Sequence, residues 1–331
     1  MLTSLSLRLA AISFFYVTFL KDVALGAPMN MQKRDQLCNG HAELCERPYG
    51  NTTFLASHDS FAVSTNPFAL ARTQEVDLET QLLSGVRMLQ AQGRMNGKDL
   101  HFCHTCESLT LVGLYHPLSN FLLFSSLFET YLETVKSFLD RHPNEVLTLV
   151  FVNPEEISVK DVWKPIFEKT GIADMAYIPP QPVMSRNDWP TLGEMISSGK
   201  RVVIFLDKGA ESRTEPEADF ILPQFQMMWE DVYDPTDPEF PCKVDRTAGP
   251  LAYDQQLNLM NHNLNVDVFV GKILVPDRLN SPRTNSIDSI LLHAQHCAPL
   301  AENNRPNFVM LDFLNVGQGM DAVDRLNGFH F

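Results

Sequence analysis

Seven apolar runs constrain the fold of this chain, because nearly every one of them stops on a polar or ionisable residue. The runs are Phe54–Ser57, Val86–Ala91, Leu100–Cys103, Val146–Val152, Arg201–Leu206, Leu257–Asn261 and Asn307–Phe313. Several are continuous apolar stretches, as strands buried in a parallel sheet are. Helix-periodic segments lie between them: Phe128–Arg141, Val159–Thr170, Thr191–Ser198 and Ile287–Gln295. No internal repeat or low-complexity linker interrupts the alternation, which predicts one α/β domain. A doubly wound open sheet fits that pattern as well. The strand ends decide for a barrel: His58-Asp59, Gln90 and Gln92, His104, Asn153, Asp207-Lys208, Asn261-His262 and Asp312 would all meet at one mouth. Ala176–Ile178 is the candidate eighth strand. The predicted fold class is therefore α/β, a single irregular β/α (TIM-type) barrel.

The N-terminus narrows the setting. Arg8 precedes the apolar run LAAISFFYVTFL, which is short for a membrane span, and the small-x-small site Ala24-Leu25-Gly26 follows. Residues 1–26 therefore read as a secretory signal peptide, with a single membrane anchor as the alternative. The dibasic pair Lys33-Arg34 offers a second cleavage point, so 27–34 reads as a propeptide and 35–331 as the barrel domain. A net charge of −14 argues against nucleic acid and against a broad basic membrane-binding face. The expected product is secreted, soluble and monomeric.

Behind a signal peptide, six cysteines favour disulfides. Proximity pairs Cys38 with Cys45 and Cys103 with Cys106, which leaves Cys242 with Cys297. The alternative for Cys103-His104-Thr105-Cys106 is a zinc or redox motif, but no second Cys/His pair of similar spacing exists to complete a zinc site. Asn51-Thr52-Thr53 is an N-glycosylation sequon, which makes Asn51 the expected glycan site. One segment breaks the pattern: Leu114–Leu127, LYHPLSNFLLFSSL, is apolar where a short polar loop is expected. It reads either as a lid-like insertion that touches lipid or as intron sequence translated through.

Three motifs carry chemistry. Leu55-Ala56-Ser57-His58-Asp59-Ser60, Gly85-Val86-Arg87-Met88-Leu89-Gln90-Ala91-Gln92 and Leu100-His101-Phe102-Cys103-His104-Thr105 resemble, in order and spacing, the catalytic strands of the phosphatidylinositol-specific phospholipase C X-domain. Trp189-Pro190-Thr191-Leu192, Arg201–Asp207, Phe240-Pro241-Cys242, Asn261-His262-Asn263 and Asn307–Phe313 resemble a secreted fungal branch of those phosphodiesterases. The similarity runs from Asn51 to Gly317. It implies a barrel that cleaves a phosphodiester, with His58 as base, His104 as acid and Asp312 orienting His58.

Such cleavage needs a base for the attacking hydroxyl, an acid for the leaving alkoxide, and positive charge or donors on the phosphate. Histidine suits both proton roles because it titrates near working pH. The sequence departs from the family at Gln90 and Gln92. Bacterial members carry an aspartate and a phosphate-binding arginine there, and calcium-dependent members carry acidic ligands. Neutral amides at those positions, and at Asn153, offer calcium none of its usual anionic oxygens, so neither metal nor cofactor is expected. The missing phosphate cation is sought in Arg94, which shares the parity of Gln90 and Gln92, or in Lys208. Asp59, Gln90, Gln92, Arg94, Asn153, Lys208 and Asn261 form the expected substrate-binding set. The expected partner is a phospholipid or inositol-phosphate-type substrate, with transient membrane-surface contact. Two alternatives stay open: a glycerophosphodiester or sphingomyelinase-like hydrolase, and a non-catalytic barrel that binds a phospholipid or glycan at its mouth.

Overall fold

The computed structural model describes residues 36–104, 124–211, 218–268 and 273–329, with the backbone alone at 103–104 and 124–126. The strands among them are β1 Phe54–Ser57, β2 Val86–Asn96, β3 Asp99–His104, β4 Phe124–Leu127, β5 Leu147–Val152, β6 Val202–Leu206, β7 Ile221–Pro223, β8 Met228–Glu230, β9 Leu257–Asn261, β10 Asn265–Asp267, β11 Leu274–Pro276 and β12 Phe308–Leu311. Eight of these form one parallel sheet in the order β7-β6-β5-β2-β1-β12-β9-β8. The two ends of that path, β7 and β8, are consecutive in the chain, joined by the helical turn Gln224–Met227. The sheet therefore curls back on itself into an irregular β/α barrel with a seam between β7 and β8.

The stretch 245–249 lies along the free edge of β8 at this seam. Asp245 N–H donates to Glu230 O at 3.0 Å, Glu230 N–H to Arg246 O at 3.0 Å, and Ala248 N–H to Phe225 O at 2.9 Å. An edge left with unpaired backbone groups would invite other chains, and this strap satisfies it.

Alternation along the strands separates two cores. Phe54, Ala56, Met88, Val150, Val203, Phe205, Leu222, Met228, Leu257, Leu259, Phe308 and Met310 pack together inside the barrel. Leu55, Leu89, Phe151, Ile204, Trp229, Val309 and Leu311 pack outward against the helices, Tyr131 and Phe138 of Phe128–Arg141 among them. Local signals start and stop the helices as expected. Thr191 caps Leu192–Ser198 in a capping box with Glu194, and Gly199 ends it at φ 72°.

Two expectations are corrected. Ala176 makes only an isolated bridge to Val202, and the remaining barrel positions are filled by the three-residue strands β7 and β8. Leu100–Cys103 is a strand but not a wall of the barrel. β2 overruns the mouth, turns at Gly97, and β3 returns antiparallel to it with Gly93 opposite Phe102. Glycine suits that turn because its φ of 65° is a left-handed conformation. Of the apolar insert Leu114–Leu127, residues 114–123 lie outside the described residues, and Phe124–Leu127 forms β4, paired antiparallel to β3.

Cys38–Cys45 and Cys242–Cys297 are bonded as expected. Residues 1–26, read as a signal peptide, Lys33-Arg34, the Cys103 side chain and Cys106 lie outside the described residues. Asn51 is exposed just before β1, at the end of the barrel opposite the mouth. No helix among the described residues is long and apolar enough to cross a membrane.

Candidate active site

The parity that places Ala56, Met88, Phe205, Met228, Leu259 and Met310 inside the barrel also points the strand-end residues His58, Gln90, Asp207, Glu230, Asn261 and Asp312 into its mouth. β1 and β12 are neighbours, with Ser57 opposite Leu311, so the next residues on each strand meet directly. His58 Nδ1 donates to Asp312 Oδ1 at 2.8 Å, and both side chains are buried. With Nδ1 committed, His58 presents Nε2 to the mouth, 3.7 Å from Asp59 Oδ2. The Asn263 amide lies 3.3 Å from Nδ1 on the other side of the ring. Burial by itself depresses the imidazole. The charges of Asp312, Asp59 and Asp234 and the hydrogen bond to Asp312 outweigh it, so the His58 pKa is raised to about 9.

Three buried glutamines hold the turn that carries His58. Gln90 Oε1 accepts the Asp59 N–H at 2.8 Å, where the backbone adopts a left-handed φ of 35°. Gln74 Nε2 donates to His58 O at 3.0 Å and to Leu311 O at 3.1 Å, tying the two strand ends together. Gln81 accepts from Ser57 Oγ at 2.7 Å and donates to Ser60 O at 2.9 Å. A buried network of this kind fixes geometry strongly, because each bond lost would leave an unpaired polar group in a dry site. Gln90, expected to face substrate, thus braces the His58 turn. Gln74 and Gln81 were not singled out in the sequence.

The other expected residues scatter. Asn153 is buried, with its amide divided between the Ile157 N–H, Ile157 O and Lys208 O, so it shapes two loops. Its own N–H donates to Asp207 Oδ1 at 2.6 Å. Gln92 is half-buried opposite Val152. Arg94 sits on the β2 overrun, where Glu155 lies 3.4 Å from Nη1. Lys208 is exposed. The Asn261 N–H donates to Asp231 Oδ1 at 2.7 Å, and its Nδ2 donates to Asp231 O at 3.1 Å. The His104 backbone ends β3, level with Ala91 by the hairpin's register. Its side chain lies outside the described residues.

Two features of the mouth were not legible in the sequence. Glu230, buried at the end of β8, pairs with Arg246 of the strap, whose guanidinium stacks 4.0 Å over the Tyr233 ring. Burial pushes the Glu230 carboxyl up to about 7 against the pull of Arg246. Behind Asn261 runs a second buried chain. Asp231 Oδ2 lies 2.7 Å from His293 Nε2, His293 Nδ1 lies 2.9 Å from His262 Nδ1, and His262 Nε2 lies 2.7 Å from Thr284 O. Burial lowers both histidines to about 3 and raises Asp231 to about 7, so at neutral pH the imidazoles are uncharged. Asp231 and His293 also lie within 4.8 Å of the Cys242 and Cys297 sulfurs, which are joined to each other.

Comparison with known proteins places this geometry in context. The profile of the family PI-PLC X 1 matches residues 44–327. A PI-PLC X domain-containing protein 1 of Arthroderma benhamiae is 35% identical over 89% of this chain and 90% of its own length. An uncharacterized secreted protein of the same fungus is 35% identical over 86% of this chain and 62% of its own length. Among solved structures, phosphatidylinositol-specific phospholipase C from Listeria monocytogenes superposes with a TM-score of 0.54 at 14% identity. It covers 87% of this chain and 96% of that one. A Staphylococcus aureus phosphatidylinositol-specific phospholipase C gives 0.53 at 13% identity, over 87% and 95%. These two likenesses speak to the fold.

Proposed function

The chain belongs to the PI-PLC X family, and on that premise we propose that it is a secreted phosphodiesterase that cleaves phosphatidylinositol-type phospholipids by proton transfer through His58 and His104. The observation that carries this reading is the 2.8 Å bond between His58 Nδ1 and Asp312 Oδ1 at the barrel mouth. The carboxylate fixes which nitrogen is free. Nε2 then takes the proton of the attacking hydroxyl, and Asp312 stabilises the imidazolium that forms. At a pKa of about 9 roughly one molecule in a hundred has a neutral His58 at pH 7, so the proton-accepting form is scarce at neutral pH. His104, on the hairpin beside the mouth, returns a proton to the leaving alkoxide.

Substrate reaches the mouth from a membrane surface. The loops leaving β1 and β9 at that end expose Phe68 and Leu279, which are 71% and 91% accessible. Apolar side chains there gain by entering lipid. An Asn51 glycan at the opposite end of the barrel would not obstruct that contact. The cleavage needs no metal, because the second strand of the family motif carries Gln90 and Gln92 in place of ionisable ligands.

The test is turnover by the purified protein on a panel of phosphatidylinositol, phosphatidylcholine, sphingomyelin and glycerophosphodiester substrates, with and without chelator. Cleavage of phosphatidylinositol that survives chelation is expected. Loss in chelator with restoration by calcium or magnesium would overturn the metal-independent mechanism. Failure to turn over any substrate, with vesicle binding intact, would favour a lipid-binding barrel.

A further inference from the structure

A phosphodiester entering this mouth meets mostly negative charge. Asp59, Asp207, Glu230, Asp231 and Asp312 are all buried at or beside the strand ends. Proton transfer alone does not hold an anion there, and neither Gln90 nor Arg94 provides the charge, while Lys208 is exposed. Gln90 is spent on the Asp59 N–H. Arg94 stands on the β2 overrun beside Glu155. On the β12 flank, Arg278 grips Glu75 through two nitrogens, and the Arg72 guanidinium lies 3.6 Å from the same carboxylate, with both arginines stacked against Phe313.

We infer that Arg246, carried into the mouth by the seam strap, is the residue that binds the substrate phosphate; this inference rests on the phosphodiesterase reading. Its placement follows from the backbone. The strap pairs Arg246 with Glu230, and the inward parity of Glu230 draws the guanidinium inside the ring of strand ends. Glu230 takes Nε, and among the described residues no hydrogen bond engages the two Nη groups. Tyr233, 4.0 Å away, and Phe225, 5.2 Å away, hold the guanidinium plane by its faces. The side chain remains 30% accessible, so solvent reaches this charge in an otherwise buried ring. An arginine fixed on one edge and on its faces, with its Nη donors free, matches two phosphate oxygens in a bidentate pair. The charge of Arg246 also acts on Asp207, at the end of β6, where burial and not this charge dominates. Glu230 then acts as the positioning residue, since its carboxylate anchors Nε and leaves the other edge outward.

The experiment uses inorganic phosphate as the probe, so that it reads the site whether or not a lipid is turned over. Phosphate binding is measured by calorimetry and by the rise in melting temperature. Turnover on phosphatidylinositol vesicles is measured in parallel. Arg246→Gln alone would leave Glu230 buried without its partner, so the decisive protein is the double variant Glu230→Gln/Arg246→Gln, which removes both charges together. It is expected to melt cooperatively and to bind phosphate about 100-fold more weakly, with kcat/KM reduced in proportion. Arg246→Lys keeps the charge but loses the fork, and is expected to fall between the two. Lys243→Gln, an exposed charge on the same segment, should leave both readouts unchanged. Wild-type protein that fails to bind phosphate, or a folded double variant that binds it with wild-type affinity, would overturn the assignment. Phosphate binding lost in the double variant without any wild-type turnover would keep the site and reject the enzyme.

Discussion

On one flank of the mouth, β1 and β12 pair residue for residue from Phe54 opposite Phe308 to Ser57 opposite Leu311. His58 and Asp312 follow directly from that register. On the other flank, β7 and β8 are the two ends of the ladder, and a strap closes the edge of β8 while bringing in Arg246. The first flank is rigid by construction, because a strand register and three glutamine amides leave the His58 turn no alternative arrangement. The second holds its charge through a side-chain ion pair on an irregular segment. A proton relay tolerates little displacement, so the difference fits the proposed division of proton transfer on the paired flank and anion capture at the seam.

Substitutions on the two flanks should separate these roles. The largest effect is expected from His58→Ala, which should lower kcat by about 10³-fold; it also leaves the buried Asp312 carboxylate without its partner, so the melting temperature should fall while unfolding stays cooperative. Asp312→Asn should lower kcat by about 10²-fold with little change in KM, because the amide still contacts Nδ1 but stabilises imidazolium poorly. A raised KM with unchanged kcat would instead place Asp312 in substrate binding. Gln90→Leu leaves the buried Asp59 N–H without its acceptor and should cost about 2 kcal/mol in urea unfolding. Unchanged stability would show that the turn is held by other contacts. The smallest effect belongs to the seam. A Cβ on Gly249 would lie 2.5 Å from Gln256 Nε2 and 2.6 Å from Gln226 O. Gly249→Ala should therefore displace the strap at a cost of about 1 kcal/mol. It should weaken phosphate binding while leaving the pH dependence set by His58 where it was. Movement of that dependence would mean that the two flanks are coupled.

The paired flank was legible in the sequence and the seam was not, and the reasons are physical. β1, β5, β6, β9 and β12 are mostly apolar runs of four to six residues that end on a polar residue or are followed at once by one, so both their existence and the meeting of His58 with Asp312 follow from pattern and closure. β7 and β8 have three residues each, sit within one apolar stretch broken by Pro223, and give no periodicity to read. Arg246 lies in irregular backbone and reaches the mouth only through tertiary pairing. Leu100–Cys103 has the composition of a barrel strand, yet the overrun of β2 past Gln92 claims it as a hairpin partner. Gln90 misled for a related reason. A strand-end amide can face substrate or cap a neighbouring turn, and only the left-handed Asp59 beside it decides for the turn.

The pH dependence of kcat/KM on phosphatidylinositol, measured side by side for the wild type and Asp312→Asn, tests the His58–Asp312 pair most directly. The His58 pKa is raised by its carboxylate neighbours, so the neutral, proton-accepting form is scarce at pH 7 and grows as pH rises. Because His104 must keep its proton while His58 loses one, kcat/KM is expected to follow a bell whose limb near 9 belongs to His58 in the wild type. In Asp312→Asn that limb should move down towards the ordinary histidine value. A limb that stays in place in the variant, or a wild-type profile with no limb near 9, would contradict the assignment of His58 as a base held by Asp312.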